Sequence, residues 1–180
     1  MDGAIAQRIV EHRQDDVLGR WRVARCRPHP ALSDCVDLYW YGEGRVNYRR
    51  DRILPAGASH LLVNLGPTQY RVVTGDDRCE YRKAFRDIWH SGLQQGPVDT
   101  EAPHGQALLG VQFSAVGARR VLGHDACLLA GRVLPLSDLL GDRSLGLRER
   151  LLACLDDVER FACIEAWLLG RLAGAPAVHP

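Results

Sequence analysis

Residues 52–66 read RILPAGASHLLVNLG. Pro55-Ala56-Gly57 is a turn signal, and Gly66-Pro67 stops whatever lies between. From His60 to Leu65 the residues read as a short strand. Leu61, Val63 and Leu65 fall on one face and His60, Leu62 and Asn64 on the other. A histidine and an asparagine on one face of an otherwise apolar strand have two readings. Either the face is wet, or it lines a pocket, because buried polar groups are costly unless paired or met by a ligand.

Outward from this stretch, the first two thirds of the chain read as strands. WRVAR (21–25) alternates, and CVDLYWYGEG (35–44) is rich in β-favouring aromatics and ends in Gly-Glu-Gly. QYRVVTGDDRCEYR (69–82) reads as a hairpin around Thr74-Gly75-Asp76-Asp77. FRDIWHSGL (85–93) and QALLGVQFSA (106–115) are further strands, with QQGPVDTEAPHG (94–105) a loop with extended pieces. Residues 1–20 are polar, with an amphipathic hint at Ile5, Ile9 and Val17, and predict a short helix or a loose arm.

After residue 115 the pattern changes. AVGARRVLG, ACLLAG and LSDLLG read as short helices, each ending at a glycine. Leu147, Leu151 and Leu155 then recur at helical spacing, and Phe161, Ile164, Trp167, Leu168 and Leu172 form a second stripe. The tail, GAPAVHP, reads as a linker. About eight strands followed by helices predict an α+β arrangement, the strands closing into a barrel or sandwich.

The chain has 180 residues, 46% of them hydrophobic and 25% charged, with a formal net charge of +1. Residues 1–90 carry 15 Arg/Lys and 12 Asp/Glu; residues 91–180 carry 8 and 10. Neither half is a basic block, so composition gives no nucleic-acid footprint. Lys83 is the sole lysine, so arginine pairs such as Arg49-Arg50 reflect a compositional bias. The six cysteines include no C-x-x-C pair for a zinc module. No signal peptide is evident, and no window approaches the ~18 apolar residues of a membrane span. A reducing cytoplasm is the expected location.

Enzyme motifs are missing. There is no G-x-S-x-G elbow and no phosphate-binding G-x-x-x-x-G-K loop, and Cys35 and Cys79 lack local activation. We therefore expect no enzyme. A metal-binding cupin barrel typically uses two histidines two residues apart, a glutamate soon after and a distant third histidine. Here Leu62 takes the second position and no glutamate follows, so neither metal nor cofactor is expected. His60, His90 and His104 would have to meet in space to form a centre. Residues 115–139 loosely resemble a helix-turn-helix, but ACLLAG offers no polar face to read bases, so an ordinary packed helix pair is expected.

The aromatic strands are more informative. Alternation sends Tyr39 and Tyr41 to one face of their strand and Trp40 to the other, and Trp89 stands in a second strand beside His90. Aromatic walls with isolated polar groups suit a small-ligand pocket. The candidate lining is Tyr39, Trp40, Tyr41, His60, Leu62, Asn64, Trp89 and Gln112. A histidine in that lining would make binding sensitive between about pH 5 and 8.

LYW at 38–40, RILPAGASHLLVNLG and the run ALLGVQFSAVGARRVLGHDACLLAGRVLPLSDLLG together resemble the N-terminal domain of AraC-type transcription regulators. That subgroup shows, in order, a YW strand, an R-I-L-P-D-G turn, a strand ending N-L-G, a G-V-x-F strand, and G-A-x-x-x-L-G and V-x-L-x-D-L-x-G helices. The match covers about residues 28–172. Ala56 replaces the usual aspartate of the turn, and His60 stands where many relatives have an acidic residue.

The resemblance implies a cupin-like β-barrel followed by C-terminal helices, with residues 1–115 the barrel plus arm and 116–175 a helical dimerisation subdomain. The barrel would bind a small effector. The helices would dimerise through Phe161, Ile164, Trp167, Leu168 and Leu172, and DNA would be met only through a C-terminal domain that relatives carry beyond the position of Pro180. A small cupin-type metal protein or enzyme, or a scaffold whose pocket is filled by its own side chains, are the competing readings.

Overall fold

The computed structural model describes residues 5–174, apart from the side chain of Arg143. The GAPAVHP tail lies, beyond its glycine, outside the described residues. Among the described residues, eleven strands form two antiparallel sheets. The larger runs in the order β1 (Ile9–Asp16), β2 (Gly19–Cys26), β3 (Val36–Val46), β10 (Gln106–Phe113), β5 (Ser59–Asn64), β8 (Ile88–Ser91), β11 (Val133–Pro135). The smaller runs β4 (Asp51–Ile53), β9 (Val98–Glu101), β6 (Gln69–Thr74), β7 (Glu80–Phe85). Five helices follow: α1 (Gly117–Leu122), α2 (Ala126–Leu129), α3 (Leu136–Leu140), α4 (Leu147–Ala153) and α5 (Asp157–Ala173). The chain is α+β, a cupin-like β-barrel followed by C-terminal helices.

The alternation read in residues 60–65 sets the layers. Leu61 and Val63 of β5 are fully buried, as are Tyr39, Leu109 and Val111 from the adjoining strands β3 and β10. They meet Phe161, Ile164 and Leu168 of α5 and Leu147 and Leu151 of α4, all 0–1% exposed. The densest core therefore lies outside the barrel, between the large sheet and the helices. Each such side chain contributes about 1.5–3 kcal/mol of burial. The alternate residues of the same strands face the small sheet.

Helix α5 starts where Asp156 caps it: its carboxylate accepts the Glu159 N–H at 2.9 Å. On its sheet-facing side, Glu165 is 6% exposed. It accepts two bonds from the Arg8 guanidinium, at 2.9 and 2.8 Å, and the His29 N–H at 2.7 Å. One buried carboxylate thus ties α5 to the N-terminal segment and to the β2–β3 connection. Helix α1 begins at Gly117 because nothing larger fits: a Cβ there would lie 1.7 Å from the Cys35 carbonyl oxygen.

Several expectations are corrected. Residues 9–16 form the edge strand β1 rather than a helix or loose arm. Cross-strand ion pairs such as Arg22–Glu11 and Arg20–Asp15 hold it, and the four-residue spacing of Ile5 and Ile9 reflects two separate contacts with the core. Val133–Pro135 adds a strand beside β8, so the large sheet takes a strand from beyond residue 115. That strand also interrupts the 115–139 segment, expected as a packed helix pair: α1 and α2 are followed by an extended piece and the start of α3. The α5 stripe is not a free face. Phe161, Ile164 and Leu168 are buried against this chain's own sheet, and Trp167 and Leu172 pack half-buried on the same core. No described helix is long and apolar enough to cross a membrane.

Candidate functional site

Between the two sheets the barrel is hollow, with a cavity of about 420 Å³. Trp40 of β3, His60 and Leu62 of β5, Trp89 and Ser91 of β8 and Leu108 of β10 form its large-sheet wall. Gln69, Tyr70 and Arg71 of β6, Phe85 of β7, and Val98 and Thr100 of β9 face them from the small sheet. Ile53 and Leu54 line the cavity yet are 55% and 69% exposed, which places them at its mouth.

Trp40 is seated by its neighbours. It pairs directly with Gly110 across β3 and β10, and the indole occupies the space above that glycine. Trp89 packs against Phe85 with ring centroids 5.0 Å apart, a tilted pair that fixes one end of the wall. His60 sits opposite Gln112 in the sheet and shares a side-chain hydrogen bond with it. Burial lowers the His60 pKa from its ordinary value, outweighing that bond. Its titration window therefore moves to the acid side of an ordinary histidine's.

Of the predicted lining residues, Trp40, His60, Leu62 and Trp89 are brought together at the cavity. The other four are placed elsewhere. Tyr39 is fully buried on the helix side, stacked on Phe161 at 6.3 Å, and burial raises its pKa. Tyr41 also faces the helix side. Its hydroxyl donates to Glu43 at 2.8 Å, Arg22 and Arg160 lie over its ring, and burial pushes its pKa up to about 12. Gln112 lies just outside the wall. It contacts the cavity only through His60, while its amide also reaches Asp37 at 3.4 Å.

Asn64 has the right parity but a different task. It is fully buried, and its Nδ2 donates to the Pro67 and Phe85 carbonyls at 2.8 and 3.1 Å. Its Oδ1 accepts the Gly66 N–H at 3.0 Å. The side chain closes the turn after β5 and does not line the cavity.

Gly110, Gln69, Arg71, Phe85 and Leu108 were missed. QYRVV carries the period-2 signal that puts Gln69 and Arg71 on one face, but nothing local says which face meets the cavity.

The histidines do not converge. His60 faces the cavity; His90 lies on the opposite face of the large sheet, 1% exposed; His104 is in an exposed loop. Among the described residues no group of three His, Cys, Asp or Glu side chains could hold a metal ion. All six cysteines are free thiols.

Residues 24–135 match the family described as Domain of unknown function (DUF6597). The chain belongs to the DUF6597 family. The matched span opens near the end of β2 and closes with β11, so in this member the DUF6597 domain comprises β3, β10, β5, β8 and β11 of the large sheet and the complete small one. No curated protein sequence matches the chain.

Among solved structures, the DUF6597 chain is similar to FeII HppE, with 7% identity over 59% of this chain and 57% of that one, TM-score 0.43. It is also similar to the E162A mutant of Bacillus subtilis oxalate decarboxylase OxdC, with 11% identity over 77% and 33%, TM-score 0.41. A third is vicilin from Corylus avellana, with 13% identity over 63% and 32%, TM-score 0.39. The chain spans less than two thirds of the length of each. One of the three, the oxalate decarboxylase, is an enzyme by its title, which corrects the expectation of no enzyme. A β fold shared with enzymes gives no ground for excluding an activity, and it shows none in this DUF6597 protein either.

Proposed function

We propose that this chain is the effector-sensing domain of an AraC-type transcription regulator, which takes a small, partly apolar molecule into its barrel. The single observation that carries the sensing role is the hollow interior. Interiors normally pack to crystal-like density. Here two tryptophans, a leucine pair and a half-buried histidine surround open volume instead of filling it, the composition of a ligand pocket. The ordered motifs shared with AraC-type sensor domains support the regulatory half.

The layering supplies a route for the signal. Trp40 touches the cavity, and its chain neighbour Tyr39 stacks on Phe161 of α5. Leu62 touches the cavity, and its neighbours Leu61 and Val63 carry the helix-side core. A ligand that shifts β3 or β5 therefore presses on the helices through the other face of the same strands. The signal would pass to a DNA-binding domain. Dimerisation would use a surface other than the buried α5 stripe.

The test has two steps. A thermal-melt screen of small molecules on the purified chain should yield compounds that raise its melting temperature. Those compounds should then change expression of a reporter placed behind the gene's own promoter in cells that carry the gene. Hits that never move the reporter would remove the regulatory role and leave the binding role.

A further inference from the structure

Two polar side chains on the small-sheet wall carry groups that have no partner among the described residues. Gln69 is 8% exposed, lines the cavity, and its Nε2 has no hydrogen-bond partner. A buried amide donor left unpaired is destabilising, and native structures rarely tolerate it without a reason. Two residues along the same face of β6, half-buried Arg71 also lines the cavity, and among the described residues its guanidinium has no ion-pair partner.

The other charges on the wall are committed. Arg52 makes a two-pronged contact with Asp99 at 2.8 and 2.9 Å. Asp51, the one carboxylate among the described residues of the wall, is hydrogen-bonded by Tyr48. Asp51 and Arg71 flank Thr100 from opposite sides, so strand β9 separates them. One cation and one amide donor thus face the open volume uncompensated, across from Trp40 and Trp89.

We propose that the barrel selects a ring compound bearing a carboxylate. The carboxylate is gripped by the Arg71 fork and capped by Gln69 Nε2, with the ring against Trp40 and Trp89. Arginine presents a planar pair of N–H donors that matches a carboxylate, and aromatic walls accept a flat apolar body. This inference rests on the cavity being a ligand site, as argued above, and adds the charge and shape of what enters it.

Calorimetry and tryptophan fluorescence with 2-naphthoate and its neutral counterpart 2-naphthamide test it, on wild type, Arg71→Gln and Leu62→Trp. Naphthoate should bind wild type at one saturable site, more tightly than the amide. Arg71→Gln should weaken naphthoate roughly ten- to a hundredfold, the worth of a charge-assisted hydrogen bond, and barely affect the amide. Leu62→Trp should abolish both. Arg71→Lys keeps the charge without the fork and should fall between. It replaces Arg71→Gln as the readout if circular dichroism shows that variant unfolded.

Equal affinity for acid and amide, or no saturable naphthoate binding, overturns the inference while melt-screen hits blocked by Leu62→Trp keep the cavity as a ligand site. Naphthoate binding that survives Leu62→Trp unchanged overturns both.

Discussion

The indole of Trp40 stands where a side chain on Gly110 would go: a Cβ placed on Gly110 falls 2.2 Å from the Trp40 ring. The two residues are direct partners across β3 and β10, so the ring cannot slide away along the strand. Gly110→Ala should push the indole into the cavity. The expected cost is about 1–3 kcal/mol of stability, as for other overpacked sites. Denaturant melts measure the stability, and a shifted tryptophan emission together with lost binding of any melt-screen hit would report the displaced wall. An unchanged emission spectrum would show that the indole is not confined there.

Asn64 should behave in the opposite way. Asn64→Ala leaves the Gly66 N–H and the Pro67 and Phe85 carbonyls without their present partner. The expected loss is about 2–4 kcal/mol of stability, since each stranded buried group costs on the order of 1–3 kcal/mol and local relaxation recovers part of it. Ligand affinity of the remaining folded protein should be unchanged. A stable variant with impaired binding would mean that the amide serves the cavity after all.

His90 gives the fold an acid-sensitive point. It is 1% exposed, neither ring nitrogen has a hydrogen-bond partner, and burial pushes its pKa down to about 4. Because the folded pKa lies below the unfolded one, the unfolded chain takes up the proton first as pH falls. The His90 contribution to stability is therefore fully present above pH ~6.5 and declines as pH drops towards 4. The linked loss is about 3 kcal/mol across that window. His90→Leu should remove this slope and leave the protein at least as stable at pH 5 as wild type at the same pH. Chemical melts across pH 4–7 read the difference directly; an unchanged slope in the variant would assign the acid sensitivity to another group.

The α5 stripe is structural. Phe161→Ala deletes a ring that is 1% exposed and stacked on Tyr39. It should cost about 3–5 kcal/mol, the range for buried Phe→Ala changes. The molar mass from light scattering should match wild type at temperatures where both are folded. A fall in mass with little loss of stability would restore the stripe as a dimer contact.

The strand that contains His60 was legible because its alternation survives intact, and with it came the positions of His60 and Leu62. The aromatic strand was legible only in part. Alternation separates Tyr39 and Tyr41 from Trp40, but both faces of β3 are covered, one by helices and one by the cavity. Aromatics suit either face, so their pattern alone does not say which set looks inward. Asn64 was misassigned although its signal was present: an asparagine two residues before a glycine and three before a proline is a turn-closing side chain. β1 and β11 were illegible for a different reason. They are an edge strand held by surface ion pairs and a three-residue strand, and neither carries an apolar alternation of its own. Gln69 and Arg71 became meaningful only once the small sheet had been folded over the large one.

The sensing role requires that the barrel interior admit a small molecule past Leu62. A side-by-side thermal melt of wild type and Leu62→Trp against one ring-rich compound library tests it most directly. Leu62→Trp should have native circular dichroism, and every compound raising the wild-type melting temperature should leave the variant unshifted. Compounds that stabilise both proteins equally would place binding outside the barrel and contradict it.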